Sequence, residues 1–190
     1  NPLGLAEFTL SRKDPAYVGR AKEIQKAEKA LEAGECPAEA VPELKPVMDA
    51  IRAHFSDVSK ENIGIGSTIF AVKPGDGSAR EQAASCQKVL GGDANICYEY
   101  ATKRYRSNCI NWGIVPFTIA KDVEFKFEQG DKIFVPGIRE AILSGKEEID
   151  AQVIAHDGVK PIHLFFQNLT ADERQILADG CLMNYYKNKK

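Results

Sequence analysis

Residues 63–92, IGIGSTIFAVKPGDGSAREQAASCQKVLGG, decide the fold class of this chain. The segment from Ile63 to Val72 is rich in β-branched residues and predicts a strand that leads directly into the glycine loop 73–78. After the loop, apolar residues at helical spacing end before Gly91 and predict a helix that opens near Ala79. A strand, a glycine loop and a helix in succession favour an α/β domain.

Apolar periodicity on either side of this segment predicts the other elements. Upstream, it predicts helices over 17–32 and 47–55, so that residues 1–60 form a helical N-terminal part. Downstream, it predicts a strand at 94–98, a helix with Tyr105 and Cys109 on its apolar face, an apolar run at 114–117, strands at 123–127 and 132–135, a hairpin pairing 149–155 with 162–166, and a last helix starting at the capping box 170–173. Together they predict one α/β domain over 1–190, with a mixed sheet core flanked by helices.

Composition and charge exclude several classes of protein. The chain has 44% hydrophobic and 27% charged residues, as globular proteins do, and a net charge of −2. A dedicated nucleic-acid binder needs clustered Lys and Arg, so we expect no nucleic-acid partner, and the basic end 187–190 is expected to be a solvated tail. The longest mostly apolar run is far shorter than the ~20 residues that span a bilayer, so we expect no membrane contact. The start at Asn1, without Met, predicts a piece of a longer chain or a processed subunit.

The five cysteines, at positions 36, 86, 97, 109 and 181, form no CxxC pair and have no nearby His at zinc-ligand spacing. We therefore expect no metal site in this chain. An odd count of scattered cysteines favours free thiols in a reducing compartment, here the cytoplasm. Cys86, Cys109 and Cys181 are expected on apolar helix faces, where a buried thiol acts as a small hydrophobic group.

The loop from Gly75 to Glu81 could bind an anion. Its glycines let the backbone approach a ligand, the following helix start carries roughly half a positive charge, and Arg80 can hold a carboxylate or phosphate through two parallel hydrogen bonds. Such a site would also favour deprotonation of Ser78. The spacing matches neither a P-loop nor G-x-G-x-x-G, and the alternative is that Ser78 only caps the helix.

Residues 77–83, GSAREQA, resemble the G-S-S-R-E-H-A motif of the aconitase and isopropylmalate isomerase superfamily. The resemblance continues through 90–92 to Asn108 and to WGIVPF at 112–117, where the family has G-L-L-P-L. It ends with the helix at 170–186, which contains Ala178-Asp179-Gly180 and Asn184. These motifs occur in the family's order and cover about 63–186.

This resemblance implies the swivelling β/β/α domain of an aconitase-like hydro-lyase, which dehydrates and rehydrates a hydroxy di- or tricarboxylate. In the family, other domains or a partner subunit hold the 4Fe-4S cluster, and the swivelling domain supplies the catalytic serine, so the domain alone is expected to be inactive. Carried over by position, Ser78 is the base, Arg80 binds a substrate carboxylate, and Gly77 and Ala79 are substrate-binding positions. The implied partners are the cluster-bearing aconitase domains and the small carboxylate substrate.

The chain departs from the family pattern at several positions. Ala79 replaces a second serine and Gln82 replaces a histidine, so the substrate is open. The family's upstream substrate arginine has no clear counterpart; Arg12 and Arg20 are candidates by distance along the chain, although solvated charges are favoured for both. Two alternatives remain: a separate small subunit of 3-isopropylmalate dehydratase, and a non-catalytic binding or regulatory module, including an RNA-binding one.

The remaining polar residues favour structural interpretations. None of the histidines, at positions 54, 156 and 163, lies at ligand spacing along the sequence, and surface or hydrogen-bonded roles are favoured. Arg104 and Arg106 could assist an anionic substrate, but a solvated helix face is favoured. Trp112 is expected to pack rather than to stack on a ligand.

Overall fold

The structure is a computed structural model, and it describes residues 1–59 and 62–189. Lys190, the end of the expected basic tail, and Lys60, the boundary of the expected N-terminal part, lie outside the described residues. The helices are α1 (Pro2–Ser11), α2 (Pro15–Glu32), α3 (Pro37–Ala40), α4 (Lys45–His54), α5 (Arg80–Val89), α6 (Lys103–Asn111), α7 (Ile138–Leu143), α8 (Ala171–Asp179) and α9 (Leu182–Asn188), with a 3-10 turn at Pro42–Leu44. The strands are β1 (Ser67–Ala71), β2 (Gly92–Cys97), β3 (Val115–Thr118), β4 (Lys132–Phe134), β5 (Glu148–Ala155) and β6 (Gly158–Phe165).

The strands form one mixed sheet in the order β1-β2-β3-β6-β5-β4. Strands β1, β2 and β3 are parallel, and with their connecting helices α5 and α6 we call them the parallel half. Strands β4, β5 and β6 are antiparallel, and with α7 and α8 they make the antiparallel half. The halves join where Thr118 pairs with Phe165. The predicted mixed sheet flanked by helices is confirmed.

The main core lies where the two halves meet. Phe117 of β3 and Phe166, just after β6, are almost fully buried, and their ring centroids are 5.4 Å apart. A second junction joins the turn before β3 to the end of α8. Gly113 has a φ of +72°, and a Cβ atom there would overlap with the carbonyl oxygen of Gly180. Only glycine therefore fits at position 113, in the turn that leads into β3.

The N-terminal helices pack against the back of α5. Ala6 of α1 and Tyr17 and Ala21 of α2 share an apolar cluster with Cys86 and Leu90. The predicted helices at 17–32 and 47–55 are confirmed as α2 and α4. Helix α1 was not predicted, because its apolar residues do not form a single stripe: Ala6 is buried, whereas Phe8 is 65% exposed.

Three predictions downstream are wrong in part. The alternating segment 123–127 forms no strand; Phe125 instead stacks on Phe70 with centroids 3.9 Å apart, so its apolar residues cover the sheet without pairing to it. The chain ends in two helices, α8 and α9, and α7 was not predicted. Cys181 does not lie on a buried helix face, because it is the N-cap of α9 and is half-buried. The predicted capping box of α8 is confirmed.

Candidate functional site

The glycine loop leaves the sheet at the carboxyl end of β1, where ligands commonly bind in α/β sheets. Gly75 fixes its path. This residue has a φ of +100°, and a Cβ atom there would lie 2.5 Å from the Tyr105 side chain of α6. The Gly75 carbonyl accepts two hydrogen bonds, from Arg80 Nε (3.1 Å) and from Thr102 Oγ1 (3.0 Å). The conformation of the loop is therefore fixed by the positive φ of Gly75 and by the two hydrogen bonds to its carbonyl.

Arg80, the first residue of α5, is held by one edge of its guanidinium. Its Nε donates to the Gly75 carbonyl, and within the described residues its terminal nitrogens make no hydrogen bond or ion pair. The side chain is half-buried. Two parallel N–H donors on a held guanidinium match the geometry of a carboxylate.

Gly77, Ser78 and Ala79 are all exposed at the tip of the loop. The alternative that Ser78 caps the helix is wrong. The N-cap of α5 is Ala79, and no side chain bonds to the first turn. The first amide groups of α5 are therefore open to an external acceptor, as expected of an anion-binding helix start.

Glu81, the last residue of the predicted loop, makes contacts that its sequence pattern did not predict. Its carboxylate, in the first turn of α5, accepts hydrogen bonds from the indole Nε1 of Trp112 (2.5 Å) and from the side-chain amide of Asn108. Trp112 therefore has a polar role besides packing. No local pattern announces this contact, because the partners lie about thirty residues apart in sequence and meet only when α5 packs on α6.

The other candidate arginines do not join the loop. The Nη1 of Arg106 lies 3.2 Å from the Glu173 carboxylate and its Nη2 donates to the Gln167 carbonyl, so Arg106 links α6 to the antiparallel half rather than lying on a solvated face. Arg104 is exposed. Arg20 pairs with Asp14 and lines a cavity beside the amino end of β1.

That cavity, about 2130 Å³, runs along residues of β1, β2 and β3 and is also lined by the segment 127–140. It is lined by Gly66, Ser67 and Asp93 at the starts of β1 and β2, and by α2 and α4. Neither Ser78 nor Arg80 lines it. The candidate site is therefore an open loop and not the large cavity.

Behind the loop, a buried polar network joins α5, β2 and α6. Gln87 Nε2 donates to Asn95 Oδ1 (2.7 Å), and the Asn95 amide donates to Tyr105 Oη (3.3 Å) and to Cys109 Sγ (3.5 Å). Burial raises the pKa of the Cys109 thiol to about 11, and it raises the pKa of the Tyr105 hydroxyl further still. Both groups stay protonated at neutral pH, so Cys109 has the structural role that was predicted.

All three histidines lie within the described residues. His163 contacts the carboxylates of Asp150 (2.7 Å) and Glu148 (3.1 Å) on the outer face of the antiparallel half. Across 1–59 and 62–189, no group of three or more His, Cys, Asp or Glu side chains could hold a metal ion. The residues present therefore do not fit a metal cluster. None of the helices in these ranges is both long and apolar enough to cross a bilayer.

Comparison with known proteins gives sequence relatives for part of the chain. A putative mitochondrial aconitate hydratase of Emericella nidulans is 28% identical over 112 residues, which are 58% of this chain and 14% of the relative. Aconitate hydratase A of Bradyrhizobium diazoefficiens is 25% identical over 119 residues, 60% of this chain and 13% of the relative. Over these segments the chain is similar in sequence to the aconitate hydratases. The resemblance to the aconitase superfamily is thereby confirmed.

The sequence similarity covers more than half of this chain but only a small part of each relative. The matched segments are small parts of the curated relatives, about one seventh of their length, and no family model matches the chain. A crystal structure of 3-isopropylmalate dehydratase from Methanocaldococcus jannaschii superposes with a TM-score of 0.49 and 26% identity, covering 79% of this chain and 83% of that one.

Proposed function

We propose that this chain is the swivelling domain of an aconitase-like hydro-lyase, with Ser78 as its base and Arg80 as its carboxylate-binding residue. The observation that carries the proposal is the loop of a chain similar to aconitate hydratases. In its described part, Arg80 keeps two terminal nitrogens free beside an exposed Ser78 and a helix start without a side-chain cap. The substrate class is a small hydroxy di- or tricarboxylate. The iron–sulfur cluster belongs, in this proposal, to other domains or to a partner subunit.

The chemistry assigns separate roles to the two residues. The proton to be removed lies on a carbon next to a carboxylate and is weakly acidic, so the base must be strong. Ser78 acts as an alkoxide that takes this proton, and the amides at the start of α5 and the charge of Arg80 stabilise the alkoxide. Arg80 binds a substrate carboxylate through its two terminal nitrogens and holds that carbon beside Ser78.

The test uses the full protein, or this chain combined with its cluster-bearing partner, loaded with cluster without oxygen. Ser78→Ala should lower kcat by about 10²-fold or more with a small change in KM. Ser85→Ala is the matched control, since Ser85 lies on the same helix and, among the described residues, its hydroxyl bonds only to the Gln82 carbonyl. A Ser78→Ala enzyme with normal turnover would refute the assignment of the base.

Arg80→Lys should raise KM by roughly 10-fold, because Lys cannot supply two parallel donors. Arg104→Lys, at an exposed position of α6, is its control. Assaying citrate, isopropylmalate and methylcitrate isomers together identifies the substrate and covers the 3-isopropylmalate dehydratase alternative. Failure on all of them, with the cluster intact, would favour the non-catalytic module.

A further inference from the structure

Helix α6 fastens the Ser78–Arg80 loop on both sides. On one side, Thr102, the N-cap of α6, donates to the Gly75 carbonyl at 3.0 Å. On the other side, the Glu81 carboxylate accepts from Asn108 of α6 and from Trp112, the residue that ends α6. The segment that carries Ser78 and Arg80 therefore lies between two fastenings to one helix.

The orientation of the Asn108 amide indicates what this contact requires. Its Nδ2 donates to Glu81, while its Oδ1 is buried and has no hydrogen-bond partner among the described residues. A buried acceptor without a partner costs free energy, about 1–3 kcal/mol. Rotating the amide by half a turn would give no relief, because it would bring its oxygen against the Glu81 carboxylate. The hydrogen bond from Asn108 Nδ2 to Glu81 therefore fixes the orientation of the amide, although its oxygen has no partner among the described residues.

The two donors to Glu81 are both neutral. They orient the carboxylate without removing its charge, and a negative charge in the first turn of a helix is favourable. Glu81 directly follows Arg80, so fixing its side chain against α6 fixes the first turn of α5 from which Arg80 projects. A shift of this turn by about 1 Å would move both Arg80 and Ser78 out of reach of one substrate.

We infer that Asn108 and Trp112 are positioning residues that act through Glu81 to hold Ser78 and Arg80 in their working arrangement. This inference rests on the proposed function. It assigns no contact with substrate to Asn108 or Trp112. The equivalent contact from Thr102 to Gly75 completes the fastening at the other end of the loop.

The kinetic test removes the donors one at a time in the cluster-loaded protein. Trp112→Phe keeps an aromatic ring and removes the N–H, and it should lower kcat between about 10- and 100-fold while the melting temperature stays near that of the wild type. Asn108→Asp should do the same by placing a second carboxylate against Glu81. Asn111→Asp, on the same helix, is the matched control and should keep wild-type kcat.

A double-mutant cycle separates positioning through Glu81 from a general structural effect. If Trp112 acts through Glu81, the Glu81→Gln and Trp112→Phe losses in kcat should not add, and the double variant should be no slower than the slower single variant. Additive losses would overturn the inference, as would wild-type kcat and KM in Trp112→Phe.

Fluorescence of this chain tests the contact without any activity. Trp112 is its one tryptophan. An excited indole moves electron density away from its pyrrole nitrogen, so a carboxylate at Nε1 shifts emission to longer wavelength. Glu81→Gln should therefore shift the emission maximum to shorter wavelength, and Glu173→Gln should not.

Fluorescence and activity together distinguish a failure of the Glu81 contact from a failure of the proposed function. Unchanged emission in Glu81→Gln would overturn the contact and the inference, whatever the enzyme does. A shifted emission together with a wild-type enzyme that has no hydratase activity would refute the proposed function, and the positioning role with it, while the contact itself would stand.

Discussion

The two halves of the sheet differ in whether their polar side chains have hydrogen-bond partners within the protein. In the parallel half, Ser78 and the terminal nitrogens of Arg80 stand at the carboxyl edge without a protein partner in the described structure. In the antiparallel half, Arg174 is 7% exposed and uses all of its edges, bonding to the carbonyls of Leu169 and Ile142 and to the Glu147 carboxylate. The parallel half therefore leaves polar groups open at its edge, whereas the antiparallel half uses its buried arginine to hold its own elements together.

The largest effect is expected at the junction of the halves. Gly113→Ala should destabilise the protein by at least about 3 kcal/mol, since both the positive φ and the overlap with the backbone of Gly180 must be relieved. Gly145→Ala is the matched control: its φ is +81° and a Cβ atom there meets nothing within 4 Å, so it should cost only about 1–2 kcal/mol. Urea unfolding measures both. Equal losses would mean that the two halves do not depend on this junction.

A similar loss is expected within the antiparallel half. Arg174→Met should cost about 3 kcal/mol, because it leaves two buried carbonyls and a carboxylate without their donor. Arg104→Met, on an exposed helix face, should stay within about 0.5 kcal/mol of wild type. If this half only supports the site, folded Arg174→Met enzyme keeps the wild-type kcat and KM. A changed kcat or KM in the folded Arg174→Met enzyme would show that the antiparallel half also shapes the site.

In the parallel half, by contrast, we expect a substitution in the loop to lower catalytic efficiency as well as stability. Gly75→Ala should reduce kcat/KM by at least about 10-fold, because the new Cβ atom displaces the loop from Tyr105. Its stability loss should be about 2–3 kcal/mol, because the overlap with Tyr105 adds to the cost of the positive φ. Gly130→Ala has a similar φ of +97° with nothing within 4 Å, and it lies before β4. The control should lose only about 1–2 kcal/mol of stability, from its positive φ alone, and keep normal kcat/KM.

The smallest effect concerns pH. Hydrogen bonds to Asp150 and Glu148 raise the pKa of His163 above its ordinary value of 6.5 in the folded protein. Its contribution to stability is therefore fully present below about pH 6.5, the unfolded value, and is lost as the pH rises through the folded pKa. The side chain is 44% exposed, so the gain should be at most about 0.5 kcal/mol. Unfolding of wild type and His163→Gln at pH 5 and pH 9 measures it; a difference that grows with pH would contradict the assignment.

Much of the fold could be predicted from the sequence where its signal is local. The helices α2, α5 and α6, the hairpin of β5 and β6, and the capping box of α8 all follow from spacing and caps within a few residues. The segment 123–127 could not be predicted, because its alternation suits any chain that covers an apolar surface, and only Phe70 and Tyr98 decide how it does so.

In the candidate site, too, the sequence predicts what is contiguous in the chain and not the contacts between distant residues. Gly77, Ser78, Ala79 and Arg80 are contiguous, so their place on one loop follows from the sequence. The bond from Arg80 to Gly75 and the cap at Ala79 required backbone geometry. The contacts of Glu81 and the pairing of Arg106 with Glu173 required the packing of α6 against two other helices.

The sequence by itself determined the α/β class, the strand–loop–helix unit at 63–92 and the residues that could bind an anion there. These features depend on residues close in the chain, whose spacing and conformational preferences act locally. Only the tertiary structure decided that two donors on α6 hold Glu81, that Gly113 meets Gly180, and that the large cavity lies away from Ser78. Such contacts join residues far apart in the chain, and they form only when the helices and strands pack around the common core.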